Sequence, residues 1–186
     1  RLDRMVRPSP TLLRAAVASL MVGVMGVLTG GGPARAAAHL PHYDHIVIVV
    51  EENHAASQII GNKSAPFINA LAANGALMTQ SYAVAHPSQP NYLALFAGDT
   101  FGMNSDACPL ALGPAPNLAS ELIAAGYTFG GFAEDLPTVG STVCGAGKYA
   151  RKHAPWVNFA NVPATASMPV TAFGAGPQMP TVSFVI

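Results

Sequence analysis

Two clusters of polar residues carry the side chains that could do chemistry. The first is Glu51, Glu52 and Asn53, which directly follow five apolar residues at positions 46–50. Two carboxylates and an amide are hard oxygen donors, suited to Ca²⁺, Mg²⁺, Mn²⁺ or another divalent ion. A solvated acidic turn is the alternative, because charged clusters at strand ends are only sometimes functional. A metal site is therefore one of two hypotheses for this position.

The second cluster surrounds Ser88, in the run His-Pro-Ser-Gln-Pro-Asn at positions 86–91. The apolar residues that follow predict a helix over 88–97, so Ser88 is either a plain N-cap or a nucleophile. At a helix N-terminus its hydroxyl would sit among free backbone N–H groups and the positive end of the dipole, which stabilise a phosphate under attack. A nearby metal ion would lower the pKa of the hydroxyl and polarise the phosphorus.

Three further side chains are candidates for substrate binding, and each has a structural alternative. Asn91 lies one helical turn after Ser88 and could hydrogen-bond a phosphoryl oxygen. His86 could contact substrate or protonate a leaving group, although an isolated histidine is more often structural. His153 could orient a phosphate together with Lys152, or could belong to a loop packed by a neighbouring tryptophan.

Strand and helix patterns alternate along the chain, which predicts an α/β fold with a mostly parallel sheet flanked by helices. We expect strands at 46–50, 76–84, 127–133 and 181–186. The first should be covered on both faces, because its apolar run is continuous. Helices are expected at 64–74, 88–97 and 118–125, with Ser64 and Asn117 as N-caps. A short helix interrupted by Pro155 is expected at 149–159, followed by a long excursion over 160–180.

The parallel sheet has a consequence for the two polar clusters. Ligands gather at the carboxyl ends of parallel strands. We therefore expect Glu52 and the loop before Ser88 to lie at the same edge of the sheet.

The N-terminal residues have the pattern of an export signal. Basic residues at positions 1–14 precede an uncharged apolar stretch at 15–28, and Ala34-Arg35-Ala36 is a small-x-small cleavage pattern. The 14 apolar residues are short for a membrane span, which needs about 20. We therefore predict a cleaved signal at 1–36, with Met5 as a possible start and an uncleaved anchor as the alternative. The protein would be secreted or periplasmic, without stable membrane association after cleavage.

Charge and cysteine content narrow the class of protein. Beyond position 36 there are four basic and eight acidic residues, a net charge of −4, with no basic cluster, which argues against nucleic acid as a partner. Cys108 and Cys144 are the two cysteines. In an exported protein such a pair usually forms a disulfide, although two unpaired buried thiols are the alternative.

Several separated motifs, in one order, resemble a known family. They are Val-Val-Glu-Glu-Asn-His (49–54), His-Pro-Ser-Gln-Pro-Asn-Tyr (86–92), Gly-Asp (98–99), Ala-Glu-Asp-Leu-Pro (133–137), Lys-Tyr-Ala-Arg-Lys-His-Ala-Pro-Trp (148–156) and Pro-Thr-Val-Ser-Phe-Val-Ile (180–186). Residues 43–186 resemble the bacterial and fungal phosphoesterases that include acid phosphatases and phospholipase C enzymes. The run at 86–91 is more similar to the acid phosphatase branch.

The resemblance implies an alkaline-phosphatase-like fold and roles for three residues. Glu52 and Asn53 would be ligands of a divalent metal ion, and Ser88 would be the nucleophile that also touches the metal. In that family the strand matching 182–186 leads into a loop whose Asp and His residues complete the metal site. We therefore expect residues 37–186 to be the N-terminal part of the catalytic domain, with the remaining ligands beyond Ile186.

The hypothesis that joins these observations is an exported, metal-dependent phosphoric ester hydrolase of acid phosphatase type. Ser88 would form a phosphoserine intermediate on a small phosphomonoester. A phospholipase C or phosphodiesterase of the same family is the first alternative. The second is a truncated fragment without catalysis that retains phosphate or metal binding.

Overall fold

The computed structural model describes residues 41–174 and 179–186. The predicted signal segment at 1–36 lies outside the described residues. Within them the α-helices and strands follow one another as β1 (Ile46–Val49), α1 (Ala56–Ile59), α2 (Pro66–Asn74), α3 (Ser88–Ala97), α4 (Leu118–Ala124), β2 (Phe129–Ala133), β3 (Gly145–Ala146), β4 (Tyr149–Ala150), β5 (Ser167–Pro169) and β6 (Val182–Val185). Short 3₁₀ helices occupy Arg151–His153, Pro155–Asn158, Ala164–Ala166 and Val170–Ala172.

Four of the strands form one parallel sheet in the order β1-β6-β2-β5, and β3 pairs with β4 in a small antiparallel hairpin. The sheet brings the carboxyl ends of β1, β6 and β2 to one edge, since all three strands run in the same direction. The predicted α/β class with a parallel sheet flanked by helices is confirmed. The arrangement is consistent with an alkaline-phosphatase-like fold.

An aromatic cluster joins α3 to one face of the sheet. The ring of Phe96 in α3 lies 5.5 Å from Phe129 in β2 and 5.9 Å from Phe184 in β6. Trp156 packs in the same cluster and donates from Nε1 to the hydroxyl of Ser167, 3.0 Å away. These rings are almost fully buried, so they hold the helix that begins at Ser88 firmly against the sheet.

The helix that begins at Ser88 has the predicted limits. It ends at Ala97, where Gly98 adopts a left-handed conformation (φ 72°) that glycine accepts without strain. The predicted cap of α4 is also confirmed, because the Asn117 side chain accepts a hydrogen bond from the Ser120 N–H. For α2 the predicted N-cap is wrong by one position: the N-cap is Ala65, and Ser64 lies in the preceding turn.

Two strand predictions need correction. Residues 76–84 form no strand: they find no partner in the sheet, and apolar side chains such as Met78 and Tyr82 stand exposed. Apolar β-branched sequence favours a strand only where a neighbouring strand can pair with it. The first strand exists but is not covered on both faces, because β1 is the edge strand and Val49 is 62% exposed.

The segments after residue 145 are also less regular than predicted. The expected helix at 149–159 is a short strand followed by two 3₁₀ turns, the second beginning at Pro155. Because proline lacks an N–H and fixes φ, it favours the start of a new turn over the continuation of an old one. The predicted excursion at 160–180 contains β5, which adds the fourth strand to the sheet.

A disulfide joins Cys108 to Cys144, as the sequence predicts for an exported protein. Among residues 41–174 and 179–186 we find no helix of the length and apolar character needed to cross a bilayer.

Candidate functional site

Three segments that are distant in sequence meet at one carboxylate oxygen. The Ser88 hydroxyl, in the first residue of α3, donates to Glu52 Oε1 at 3.1 Å. The Nε2 atom of His153 lies 2.8 Å from that same oxygen. The structure therefore brings together the predicted nucleophile, one predicted metal ligand and one predicted phosphate-binding histidine.

The position of Glu52 follows from the register of the sheet. Backbone pairing of β1 with β6 continues one residue past the strand, with the Val50 N–H donating to the Val185 carbonyl at 2.9 Å. Glu51 and Glu52 follow at the carboxyl edge, where parallel sheets bind their ligands. The next residue, Asn53, has a left-handed backbone (φ 68°), which asparagine tolerates better than most residues.

Two clefts adjoin the site, and they share Val50, Glu52 and Tyr92. The larger cleft, of about 510 Å³, is lined by Asn53, His54, His86, Ser88 and Asn91 among others. The smaller, of about 250 Å³, lies over the ends of β1, β2 and β6 and contains His153. Both Asn53 and the exposed His86 therefore line the cleft in which Ser88 lies, whereas His153 lines the smaller cleft.

His153 is held by packing against Tyr92 as well as by Glu52. The two rings lie 5.0 Å apart at an angle of 32°. Burial lowers the pKa of His153 below its ordinary value and the Lys152 charge acts in the same direction, whereas Glu52 opposes them. Nε2 has no hydrogen bond of good geometry within the described residues, despite its short distance to the carboxylate. Packing against Tyr92 and the short distance to Glu52 therefore fix the position of the ring.

The Asn91 side chain hydrogen-bonds the backbone of the loop that leads into α3. Its Oδ1 accepts from the N–H groups of Val84 and Ala85, and its Nδ2 donates to the carbonyls of Ala85 and Pro87. Four hydrogen bonds fill the capacity of a carboxamide. In this structure Asn91 therefore fixes the approach to Ser88, and its predicted contact with a phosphoryl oxygen stays a prediction.

The N-terminus of α3 offers fewer free donors than the sequence suggests. Pro90 has no N–H, and the Gln89 N–H donates to Asp106 Oδ1 at 2.9 Å. The other carboxylate oxygen of Asp106 accepts from the Lys152 ammonium at 2.8 Å. Lys152 is therefore occupied by an ion pair and does not share a phosphate-binding role with His153 in this structure.

Burial would by itself raise the pKa of Asp106. The hydrogen bonds from Lys152 and the Gln89 N–H, with the charges of Lys152 and His153, outweigh that effect and hold the pKa below its ordinary value. The carboxylate is thus kept ionised between two donors.

Sequence reasoning did not identify Asp106 or Tyr92. Asp106 lies in the loop before Cys108, and no local motif connects it with Ser88, 18 positions earlier. Tyr92 lies in the quoted run 86–92, but its burial and its place between the two clefts depend on tertiary packing. Burial raises the pKa of its hydroxyl and the charge of Glu52 adds to that effect, which keeps the phenol neutral.

The donors at Glu52 fit a hard divalent cation. Glu52 supplies a carboxylate, Asn53 an amide oxygen and Ser88 a hydroxyl, all lining the larger cleft. Oxygen donors of this kind suit Mg²⁺, Ca²⁺ or Mn²⁺. Across the described part of the chain no group of three or more His, Cys, Asp or Glu side chains is arranged to hold a metal ion. A cation at this site would therefore depend on the amide and hydroxyl as well as the carboxylate.

Comparison with known proteins relates this chain to one family and to several phosphatases. The profile of the Phosphoesterase family matches residues 62–186. A phosphatidylinositol-3-phosphatase of Mycobacterium tuberculosis is 63% identical over 172 residues, which cover 91% of this chain and 57% of that protein. The phosphate-repressible acid phosphatase of Penicillium chrysogenum is 36% identical over 100 residues, 51% of this chain and 24% of its own length. An acid phosphatase of Aspergillus fumigatus is 36% identical over 99 residues, 50% and 22% of the two chains.

The chain thus spans less than two thirds of the length of these relatives. No solved structure gives a significant match. The matched range 62–186 includes Ser88, Asp106 and His153 but begins after Glu52 and Asn53.

Proposed function

The chain belongs to the Phosphoesterase family, and we propose that it hydrolyses phosphate esters with Ser88 as the nucleophile. The observation that carries the proposal is the convergence of the Ser88 hydroxyl and His153 Nε2 on Glu52 Oε1, at 3.1 and 2.8 Å. A hydroxyl held by a carboxylate beside an open cleft has the arrangement that a serine nucleophile requires.

The reaction divides into two steps. In the first, Ser88 Oγ attacks phosphorus, the bond from phosphorus to the ester oxygen breaks, and a phosphoserine forms. In the second, water attacks phosphorus and gives a proton to His86, the bond from phosphorus to Ser88 Oγ breaks, and Ser88 regains its proton from Glu52 as phosphate leaves. Glu52 Oε1 orients the hydroxyl and accepts its proton as Ser88 Oγ bonds to phosphorus. His153 contacts a phosphoryl oxygen, and the exposed His86 in the larger cleft supplies a proton to the departing alcohol.

A divalent metal ion belongs to the same proposal. Glu52, Asn53 and Ser88 would hold it, and a cation bound there lowers the pKa of the serine hydroxyl and offsets charge on the phosphoryl oxygens. The fit of these three oxygen donors supports this part of the proposal.

We propose a phosphomonoester as the substrate. The names of the fungal relatives indicate acid phosphatases, and the name of the mycobacterial relative indicates a phosphoinositide with a 3-phosphate, which is also a phosphomonoester. A phosphodiester, as for a phospholipase C, is the competing substrate class. Export to an extracytoplasmic compartment is part of the proposal, supported by the disulfide between Cys108 and Cys144.

The experiment is a comparison of three substrates with the full chain, across acid to neutral pH and with several divalent ions. The substrates are an aryl phosphate, phosphatidylinositol 3-phosphate in vesicles and a choline phosphodiester. We expect hydrolysis of the monoesters, and we expect Ser88→Ala to lower kcat/KM by at least about a thousandfold. Ser64→Ala is the matched control, because Ser64 lies in an exposed turn outside both clefts.

Two outcomes would contradict the proposal. Near-normal hydrolysis by Ser88→Ala would leave Ser88 with only a structural role at the start of α3. A folded chain with no hydrolysis under any of these conditions would favour the alternative of a phosphate- or metal-binding fragment, which calorimetry with divalent ions and inorganic phosphate then tests.

A further inference from the structure

A single carboxylate, that of Asp106, touches both segments that bring side chains to Glu52. Its Oδ1 accepts from the backbone N–H of Gln89 at 2.9 Å, and its Oδ2 accepts from Lys152 Nζ at 2.8 Å. Gln89 directly follows Ser88, and Lys152 directly precedes His153. Ser88 and His153 both contact Glu52 Oε1. The two segments are therefore linked twice, once through Glu52 and once through Asp106, which contacts the residue after Ser88 and the residue before His153.

The loop that carries Asp106 is itself anchored. Cys108, two positions further on, is joined to Cys144. The buried Arg151 donates to the Leu110 carbonyl at 2.9 Å and to the Thr142 carbonyl at 2.8 Å. The disulfide holds this loop at Cys108, and the Arg151 guanidinium holds it at Leu110. Both anchors are close in sequence to Asp106, so the Asp106 carboxylate is well placed to position other groups.

The three consecutive residues of the 3₁₀ turn Arg151–His153 contact different partners. Arg151 fastens the turn to the Asp106 loop, Lys152 pairs with Asp106 itself, and His153 reaches Glu52. Hydrogen bonds to an ionised carboxylate are shorter and stronger than those between neutral groups. The Asp106 carboxylate lines neither cleft that contains Glu52, so it does not touch a molecule bound there.

We propose that Asp106 is a positioning residue that sets Ser88 and His153 relative to Glu52. The proposal rests on the proposed function, because it assigns to Asp106 the alignment of the nucleophile in that reaction. A displacement of about 1 Å at a reacting group can cost about a hundredfold in rate. Asp106 thus acts on the rate of the chemical step through the start of α3 and through the turn before His153.

The test uses the full chain and three substitutions. Asp106→Ala removes both contacts, Asp106→Asn keeps an acceptor for the Gln89 N–H but loses the charge, and Lys152→Met removes the ion pair alone. Asp99→Asn is the matched control, because Asp99 lies seven positions earlier in the same loop and, within the described residues, accepts only from the Phe101 N–H. Each variant is assayed well below its own melting temperature, with the folded fraction measured by circular dichroism.

For Asp106→Ala we expect kcat per folded chain to fall by about ten- to a hundredfold. The KM and the inhibition constant for inorganic phosphate should stay within about twofold, since Asp106 does not touch substrate. Asp106→Asn should recover part of the loss, and Asp99→Asn should match the parent. Adding Lys152→Met to Asp106→Ala should cause no further loss, because the two residues share one contact. An unchanged kcat per folded chain, or a fully additive double variant, would overturn the proposal.

A second measurement does not depend on activity. In the Asp106→Ala chain, hydrogen exchange of the Gln89 amide should be faster by at least about tenfold, while Asp106→Asn and Asp99→Asn keep it slow. Unchanged exchange in Asp106→Ala would overturn the anchoring of α3 by Asp106. If the parent chain shows no hydrolysis that depends on Ser88, the proposed function fails, whereas the exchange result still decides whether Asp106 holds the start of this helix.

Discussion

The candidate site lies between two regions of the chain that are packed very differently. Among residues 41–84, which include β1 and α2, none is buried. Within the described residues, the buried hydrophobic core runs from Tyr92 to Phe184, where α3, β2, β6 and Trp156 pack together. We refer to residues 41–84 as the exposed region and to residues 87–186, where described, as the packed region.

The groups of the site divide along this boundary. Glu52 and Asn53 belong to the exposed region, whereas Ser88, Asp106 and His153 belong to the packed region. The exposed region is connected to the sheet through β1, which pairs with β6 along one edge only. The difference indicates that the core determines where Ser88, the proposed nucleophile, lies, while the position of Glu52 depends on the pairing of a single edge strand.

The largest contrast between the regions should appear in the free energy of unfolding after aromatic truncation. We expect Phe184→Ala to lower it by about 3–5 kcal/mol, because a fully buried ring is lost and a cavity remains. Phe67→Ala, in the exposed region, should change it by less than about 0.5 kcal/mol, since this ring is 73% exposed. Urea unfolding measures both. Equal effects of the two substitutions would mean that the exposed region contributes as much packing as the core.

The disulfide should contribute almost as much to the packed region. Its cysteines are 36 positions apart, and both lie within that region. We expect the double substitution Cys108→Ser and Cys144→Ser to cost about 2–4 kcal/mol, mainly because the unfolded chain is no longer constrained. Thermal or urea unfolding of the parent with and without reductant gives the same comparison. A double variant that is as stable as the parent would show that Arg151 alone holds the Asp106 loop.

This division also explains which features could be predicted from the sequence. The helix at 88–97 and the cap at Asn117 were correct, because turn and cap residues act locally. The strands at 46–50 and 76–84 were assigned from apolar runs alone. Such a run does not reveal whether it has a partner, so one became an edge strand and the other no strand.

At the site, the sequence predicted residue types better than their partners. Ser88, Glu52 and His153 were each identified from local patterns, and they meet in the structure. The sequence predicts that Lys152 and His153 orient a phosphate together, but the Lys152 ammonium binds Asp106, 46 positions away. Ion pairs across such a separation depend on the tertiary fold, and no pattern in a single sequence specifies them.

A smaller contrast should appear in the backbone hydrogen exchange of β1 and β6. Strand β6 is paired on both sides, with β1 and β2, and its side chains are mostly buried. Strand β1 has one partner and is largely exposed. We expect amides of Ile46–Val49 to exchange at least about tenfold faster than those of Val182–Val185, because local opening needs fewer broken contacts. If the amides of β1 and β6 exchanged at equal rates, the two strands would open as one cooperative unit. The distinction between the exposed region and the packed region would then not hold.

The smallest effect concerns the pH dependence of the packed region through Asp106. Its pKa lies below the ordinary value in the folded chain. Its contribution to stability is therefore present above the ordinary pKa of about 4 and is lost as the pH falls through the lower folded value. The side chains of Asp106 and Lys152 are 28% and 31% exposed, so solvent screening limits the contribution to about 1 kcal/mol or less.

Urea unfolding of the parent and of Asp106→Asn, followed from pH 7 to pH 3, isolates this contribution. The two chains should differ in free energy of unfolding at pH 7 and converge as the pH falls, because protonated aspartate resembles asparagine. In a Lys152→Met background the difference at pH 7 should shrink, since the ion pair is already absent. A difference that is independent of pH, and unaffected by Lys152→Met, would mean that Asp106 acts only as a hydrogen-bond acceptor for the Gln89 N–H. The coupling between the turn at His153 and the start of α3 would then not be electrostatic, and the packed region would align Ser88 and His153 through its aromatic core alone.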